Sequence, residues 1–287
     1  VEPEMVTPDS VLSRAPPDGA LHVDGRPVLG ARTQLVLDLT RPEVVHYLIA
    51  SLSPLLERLP IRYLKWDHNR NLTHAGNTPL YRRQVRAAYG LFEHFRAAFP
   101  SVEIEACAGG GGRIDGGILR HTHRFWASDC IDAVSRVGIQ RGFLQFMPPE
   151  VMGSHVGASP AHSTGRMQAM DFRAAVALPG HFGVEFDLRK VKGAEREELR
   201  RAISRYKALR GRLHGARVWL GEADDGLVWQ AHGDAAQLVL FVIRTSPSPQ
   251  RHQPSLRLPM VSPDRRYHLS REGVPDIALD GAWLNRM

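Results

Sequence analysis

The chain lacks most of the features that would commit it to a specialised class. It has only two cysteines, Cys107 and Cys130, too few for a disulfide framework or a four-thiolate zinc site. A reduced, cytoplasmic protein is therefore the expectation. No apolar run reaches the roughly eighteen residues that a membrane-spanning helix needs. The opening, VEPEMVTPDS, is acidic and proline-containing, without the basic start or apolar middle of a signal peptide. It does not begin with methionine, which leads us to expect a piece of a longer protein. The net charge is +7, but no concentrated basic stripe with interleaved aromatics accompanies it, so nucleic acid is not an expected partner. The densest basic group, REELRRAISRYKALRGR, reads as a solvated helix face. Internal repeats and low-complexity segments are missing too.

What is present is ordinary in amount and informative in order. With 287 residues and 43% hydrophobic content, the chain can build one large domain, or one large domain and a small one. Residues 35–39, LVLDL, read as a buried strand. Residues 41–59 carry apolar positions at helical spacing, with Thr40 as N-cap and Pro42 in the first turn. IRYLKWD is the next strand. Residues 78–99 are helical, with Leu80, Val85, Ala88, Leu91, Phe92 and Phe95 on one face. VEIEACAGGGG, RFWASD and GFLQFM supply further strands, and residues 189–214 a long charged helix, within which Glu197 can pair with Arg201. Alternating strands and helices imply parallel pairing, in a closed barrel or an open doubly wound sheet. After Gly215 the runs ARVWLG, GLVWQAHG, AQLVLFVIR, PSLRLPM and YHLS imply a small antiparallel β-domain. The division expected is 1–214 and 215–287.

The polar residues gather at strand ends, where both parallel architectures place ligands. In YLKWDHNR, alternation sends Lys65 and Asp67 to one side and Trp66 to the other. A lysine beside an aspartate keeps it ionised, as a nucleophile requires; a structural salt bridge is the equal rival. In CAGGGGR the glycines let a ligand approach the main chain, but the lysine and serine of a phosphate loop do not follow. WASDCID offers a second strand-end carboxylate, Asp129. Two such carboxylates facing one pocket suit glycoside hydrolysis, whereas the rival reading makes Asp129 the N-cap of the next helix. PPEVMGSHVGASPAHSTGR reads as a long loop. Its His155 and His162 are commoner as hydrogen-bonding residues than as ligands, so no metal is expected.

Taken in order, EPEMV, GARTQLVLDL, YLKWDHNR, EACAGGGGRID, WASDCIDAVSRVGIQRGF, MGSHVGASPAHSTGR and GHFGVEFDL resemble the α-galactosidases of glycoside hydrolase family 36. The resemblance is close over residues 1 to about 190 and looser beyond. It implies a (β/α)8 TIM barrel followed by a C-terminal antiparallel β-sandwich. It also implies hydrolysis of terminal α-galactosides of the melibiose and raffinose type, with retention and no cofactor. Asp67 matches the nucleophile and Asp129 the general acid/base. Arg32, Lys65, Cys107, Gly110 and Trp126 are carried over as substrate-binding positions. The apolar neighbours Phe125 and Trp126 would desolvate Asp129, which suits a proton donor. The partner is then a small α-galactoside, and the family includes homo-oligomers.

Three positions depart from the family pattern: His68 where Met is common, Ala108 where Ser is common, and Cys130 where Asn or Asp is common. The family's N-terminal β-sandwich and first two barrel strands have no counterpart before EPEMV, so the barrel is expected to be incomplete at its N-terminus. Two other readings stand beside hydrolysis. One is an α-galactosyltransferase of the raffinose-oligosaccharide type, and the other an inactive truncated remnant.

Overall fold

The computed structural model describes residues 1–14, 19–22, 32–72, 80–223, 225–252 and 254–286. Gly30 and Ala31 of the GARTQ motif, and positions 78 and 79 of the expected helix, lie outside the described residues. The chain divides into two compact units, Val1–Asp129 and Cys130–Met287.

In the first unit, β1 (Met5–Val6) pairs antiparallel with β2 (Leu35–Val36), and α1 (Val11–Arg14) lies between them in sequence. The LVLDL run is therefore shorter than expected. After Leu37 the Asp38 carboxylate accepts hydrogen bonds from the Thr40 amide (2.9 Å) and hydroxyl (2.6 Å), and this turn ends the strand. It also corrects the cap. Thr40 is occupied with Asp38, and the N-cap of α2 (Pro42–Arg58) is Arg41, without a side-chain cap bond. Three parallel strands follow: β3 (Tyr63–Trp66), β4 (Glu103–Ala106) and β5 (Arg124–Trp126). Between β3 and β4 runs α3 (Leu80–Ala98), whose buried stripe is Leu80, Gln84, Ala88, Leu91, Phe92 and Phe95. Gln84 takes the place expected for Val85, which is exposed. It earns burial by donating to the Leu37 carbonyl (2.8 Å) and accepting from the Leu39 amide (2.9 Å). Phe92 and Phe95 pack on Trp66, with ring centroids 4.7 and 5.7 Å away. Each such buried aromatic is worth about 1.5–3 kcal/mol.

In the second unit, α4 (Ala133–Phe143) precedes β6 (Met152–Gly157), α5 (Met170–Ala177), β7 (His181–Glu185) and α6 (Gly193–His214). β6 and β7 are parallel. Two expectations are corrected here. GFLQFM is the end of α4 and the turn after it: the Leu144 amide reaches the Gln140 carbonyl (3.0 Å) and the Met147 amide that of Phe143 (2.9 Å). The strand instead forms on MGSHVG, inside the stretch read as a loop. On α6, Glu197 pairs with Arg200 (3.7 Å), one position before the expected Arg201.

After Gly215, β8 (Arg217–Ala223), β9 (Leu227–Gly233) and β10 (Leu238–Arg244) form an antiparallel meander. β11 (Arg266–Arg271) and β12 (Val274–Asp280) form a separate hairpin, followed by α7 (Gly281–Arg286). PSLRLPM is not a strand. It joins α7 through the Leu258 amide and the Leu284 carbonyl (2.9 Å), and the partner of β11 forms instead on VPDIALD, which is not among the expected strands. Among the described residues no helix is long and apolar enough to cross a membrane.

Candidate active site

Alternation along β3 sets the first carboxylate. Leu64 and Trp66 are buried, with Trp66 against α3, and Lys65 and the following Asp67 take the other side. The Asp67 amide is fixed by the Val1 carbonyl (2.9 Å). Its carboxylate accepts the His68 amide at Oδ1 (2.8 Å) and the Asn69 amide group at Oδ2 (2.9 Å). Partial burial opposes the charge on Asp67. The hydrogen bonds from Cys107, Asn69 and the His68 amide, with the nearby Lys65 ammonium, outweigh it and hold the carboxyl below the usual aspartate range. The structural salt-bridge reading is thus insufficient: Asp67 is an ionised group held mainly by uncharged donors.

β4 delivers Cys107. Its amide continues the ladder to the Trp66 carbonyl (2.9 Å), and its side chain is fully buried. The thiol hydrogen-bonds Asp67 and lies 3.8 Å from Asp129 Oδ1. Burial, then the adjacent Asp67, push its pKa well up, so it remains a protonated donor between two carboxylates.

The glycine loop after Cys107 sets the second carboxylate. Gly110 has φ +83°, and a Cβ there would stand 2.8 Å from Ser128 Cα and 2.9 Å from the Asp129 nitrogen. A Cβ at Gly111 would stand 2.6 Å from the Ala127 carbonyl oxygen. The glycines therefore let this loop lie directly on the main chain that carries Asp129. Its other end is tied to the first carboxylate, because the Gly109 amide donates to Asn69 Oδ1 (3.2 Å). The N-cap reading of Asp129 fails. The cap of α4 is Asp132, which accepts the Ser135 amide at 2.9 Å.

The Lys65 ammonium lies 4.8 Å from the centroid of the buried Trp126 ring, so these two positions meet beside the carboxylates. Arg32 does not join them among the described residues. It lies in an exposed turn with φ 53°. His155 has a carboxylate neighbour, Glu185 Oε2, at 3.1 Å, and His162 is exposed. Asn69 is a site residue that strand alternation does not point to: it binds both Asp67 and the glycine loop and is itself held by Glu2. The available signal was its place in the KWD-x-NR motif.

Residues 1–214 match the family model described as Melibiase. The chain belongs to the melibiase family. Among curated relatives, the chain is 40% identical to an Escherichia coli α-galactosidase, over 100% of this chain and 42% of that protein. It is also 40% identical to α-galactosidase AgaA of Geobacillus stearothermophilus, over 73% of this chain and 30% of that protein. The chain thus spans less than half the length of these relatives. Among solved structures, a doubly substituted AgaA of Geobacillus stearothermophilus in complex with raffinose superposes with a TM-score of 0.91 at 32% identity, covering 100% of this chain and 41% of that one. The galactosidase domain of the α-galactosidase–sucrose kinase AgaSK gives 0.92, also at 32% identity, over 100% and 40%.

Proposed function

We propose that this protein hydrolyses terminal α-galactosides by double displacement, with Asp67 as nucleophile and Asp129 as acid/base. The observation that carries the reading is that one protonated thiol, Cys107, reaches both carboxylates from the strand between them. Close pairing of two carboxyl groups, at about 5–5.5 Å, is what a retaining glycosidase uses. Relatives named α-galactosidase, and a raffinose complex of one of them, support the substrate class.

In this mechanism ionised Asp67 attacks the anomeric carbon while the protonated Asp129 carboxyl gives its proton to the departing oxygen. The bond to the aglycone breaks and a galactosyl ester forms on Asp67. Asp129, now a carboxylate, takes a proton from water; the water oxygen attacks the same carbon and Asp67 leaves. Two inversions give retention. Lys65 stands where it can hold sugar hydroxyls while favouring the charge on Asp67. Cys107 and the Gly110 main chain border the same space. Arg32 belongs to this proposal only through the family pattern.

The fold proposal follows the same line. β3–β5 and β6–β7 supply part of a (β/α)8 barrel, and the two antiparallel sheets after residue 214 part of a C-terminal β-sandwich. The end of the family match at residue 214 and the end of α6 at His214 support that division. The test of mechanism is the first-formed sugar during hydrolysis of p-nitrophenyl α-galactoside, read by proton NMR. α-Galactose appearing first is expected, and β-galactose appearing first would refute retention.

A further inference from the structure

The mechanism leaves several buried charges unused, and Glu4 is the one that bears on both sides of the site. Glu4 is 1% exposed and bears on the residues that flank Asp67 in the chain. Its Oε1 accepts the Trp66 indole N–H (2.9 Å) and faces the Arg113 guanidinium (2.8 Å), and its Oε2 lies 3.4 Å from His68 Nδ1. Burial opposes its charge; Arg113 and His68, then the indole, outweigh it and hold the pKa down to about 2.

The partners are arranged to a purpose. Trp66 and His68 are the two chain neighbours of Asp67, and both reach Glu4. Arg113 closes the loop that begins at Cys107 and passes over the Asp129 main chain at Gly110. That loop is folded on itself, with the Ala108 amide on the Gly110 carbonyl (3.0 Å) and the Gly112 amide on the Ala108 carbonyl (3.1 Å), so a pull at Arg113 is felt along it. One carboxylate therefore grips both the segment that presents Asp67 and the loop that bears on Asp129. A buried ion costs several kcal/mol before its pairing offsets this, and an apolar residue would hold a merely structural contact at lower cost.

We propose that Glu4 is a positioning residue that fixes the separation of Asp67 from the loop carrying Cys107 and Gly110, acting through Trp66, His68 and Arg113. The proposal rests on the hydrolytic reading above, and its test separates the two. Glu4→Gln keeps the shape of the side chain and removes its charge. The rate at which iodoacetamide modifies Cys107 in the folded chain, followed by peptide mass spectrometry, reads the loop without any turnover. Turnover of p-nitrophenyl α-galactoside reads the reaction. The expected result is Cys107 modified about tenfold faster, through more frequent local opening. With it, kcat should fall about a hundredfold, the scale of a 1 Å misplacement, and KM stay within about threefold. Glu4→Asp should recover part of both losses. Wild-type Cys107 protection together with wild-type kcat in Glu4→Gln would overturn the proposal. If the wild-type chain shows no turnover, the hydrolytic reading fails and Cys107 modification alone decides. If Glu4→Gln does not fold, Arg113→Lys probes the same link from the loop: faster Cys107 modification supports the proposal, and an unchanged rate overturns it.

Discussion

Replacing Gly110 with alanine should damage acid catalysis more than any other part of the reaction. The new Cβ would meet backbone, not the yielding tip of a side chain: Ser128 Cα at 2.8 Å and the Asp129 nitrogen at 2.9 Å, where ordinary contact begins at 3.4 Å. Relief requires the Asp129 main chain or the loop to retreat by roughly 0.6 Å in a closely packed region. An alanine at φ +83° adds about 1–2 kcal/mol of backbone strain, and the forced repacking about 1–3 kcal/mol. Together these amount to about 2–5 kcal/mol and a thermal midpoint lowered by roughly 5–15 °C. Gly109→Ala is the matched control. It has φ +54° and only Asn69 Oδ1 within reach, at 3.9 Å, so it should cost only the strain, about 1–2 kcal/mol. The assay compares kcat/KM for an alkyl α-galactoside, whose leaving group needs a proton, with α-galactosyl fluoride, whose leaving group does not. A displacement of this size should cost Gly110→Ala about tenfold or more on the alkyl substrate and much less on the fluoride. Equal losses on both substrates, or the same selective loss in Gly109→Ala, would refute the argument that Gly110 seats Asp129.

Other outcomes follow from the same geometry. Because Asp67 is held below its ordinary value of 3.8, the acid limb of kcat/KM assigned to the nucleophile should lie below pH 4; a nucleophile limb at pH 5 or above would contradict this. Glu4 is depressed from 4.5 to about 2. The stability it contributes is complete above pH 4.5 and is lost as pH falls toward 2, roughly 3 kcal/mol in all. Denaturant midpoints between pH 5 and 2 should fall more steeply for the wild type than for Glu4→Gln. Asp132→Ala removes the α4 cap bond and the partner of Thr164 (2.6 Å) and Arg166 (3.1 Å). It should destabilise the chain by about 2 kcal/mol, read by thermal unfolding, and an unchanged midpoint would show that the cap and loop contacts are immaterial.

The parts of the fold that could be read in advance are those where local pattern and tertiary environment agree. α2 and α3 carry strong helical periodicity, and β3 and β5 each end on a tryptophan with an aspartate one or three residues beyond, so these elements and the placing of Asp67 and Asp129 after strand ends were legible. β6 was not, because MGSHVG is small and glycine-containing and looks like a loop until β7 pairs with it. GFLQFM failed in the opposite direction: its aromatic and apolar residues suit a strand, but hydrogen bonds from α4 continue through Phe143 and Leu144. Val85 and Gln84 exchanged expected roles because two carbonyl and amide groups at Leu37 and Leu39 needed a polar partner. Glu4 was the least legible. A glutamate beside a proline carries no local signal of burial, and only the tertiary meeting with Trp66, His68 and Arg113 buries it.

The account depends most on Asp67 carrying the sugar between the two displacements. The direct measurement is peptide mass spectrometry after incubating the protein with 5-fluoro-α-galactosyl fluoride, which slows breakdown of a galactosyl ester, beside the Asp67→Asn variant. A fluorogalactosyl label on Asp67, absent in a folded Asp67→Asn protein, is the predicted result. A label on Asp129 or on Cys107, or turnover by Asp67→Asn at the wild-type rate, would contradict it.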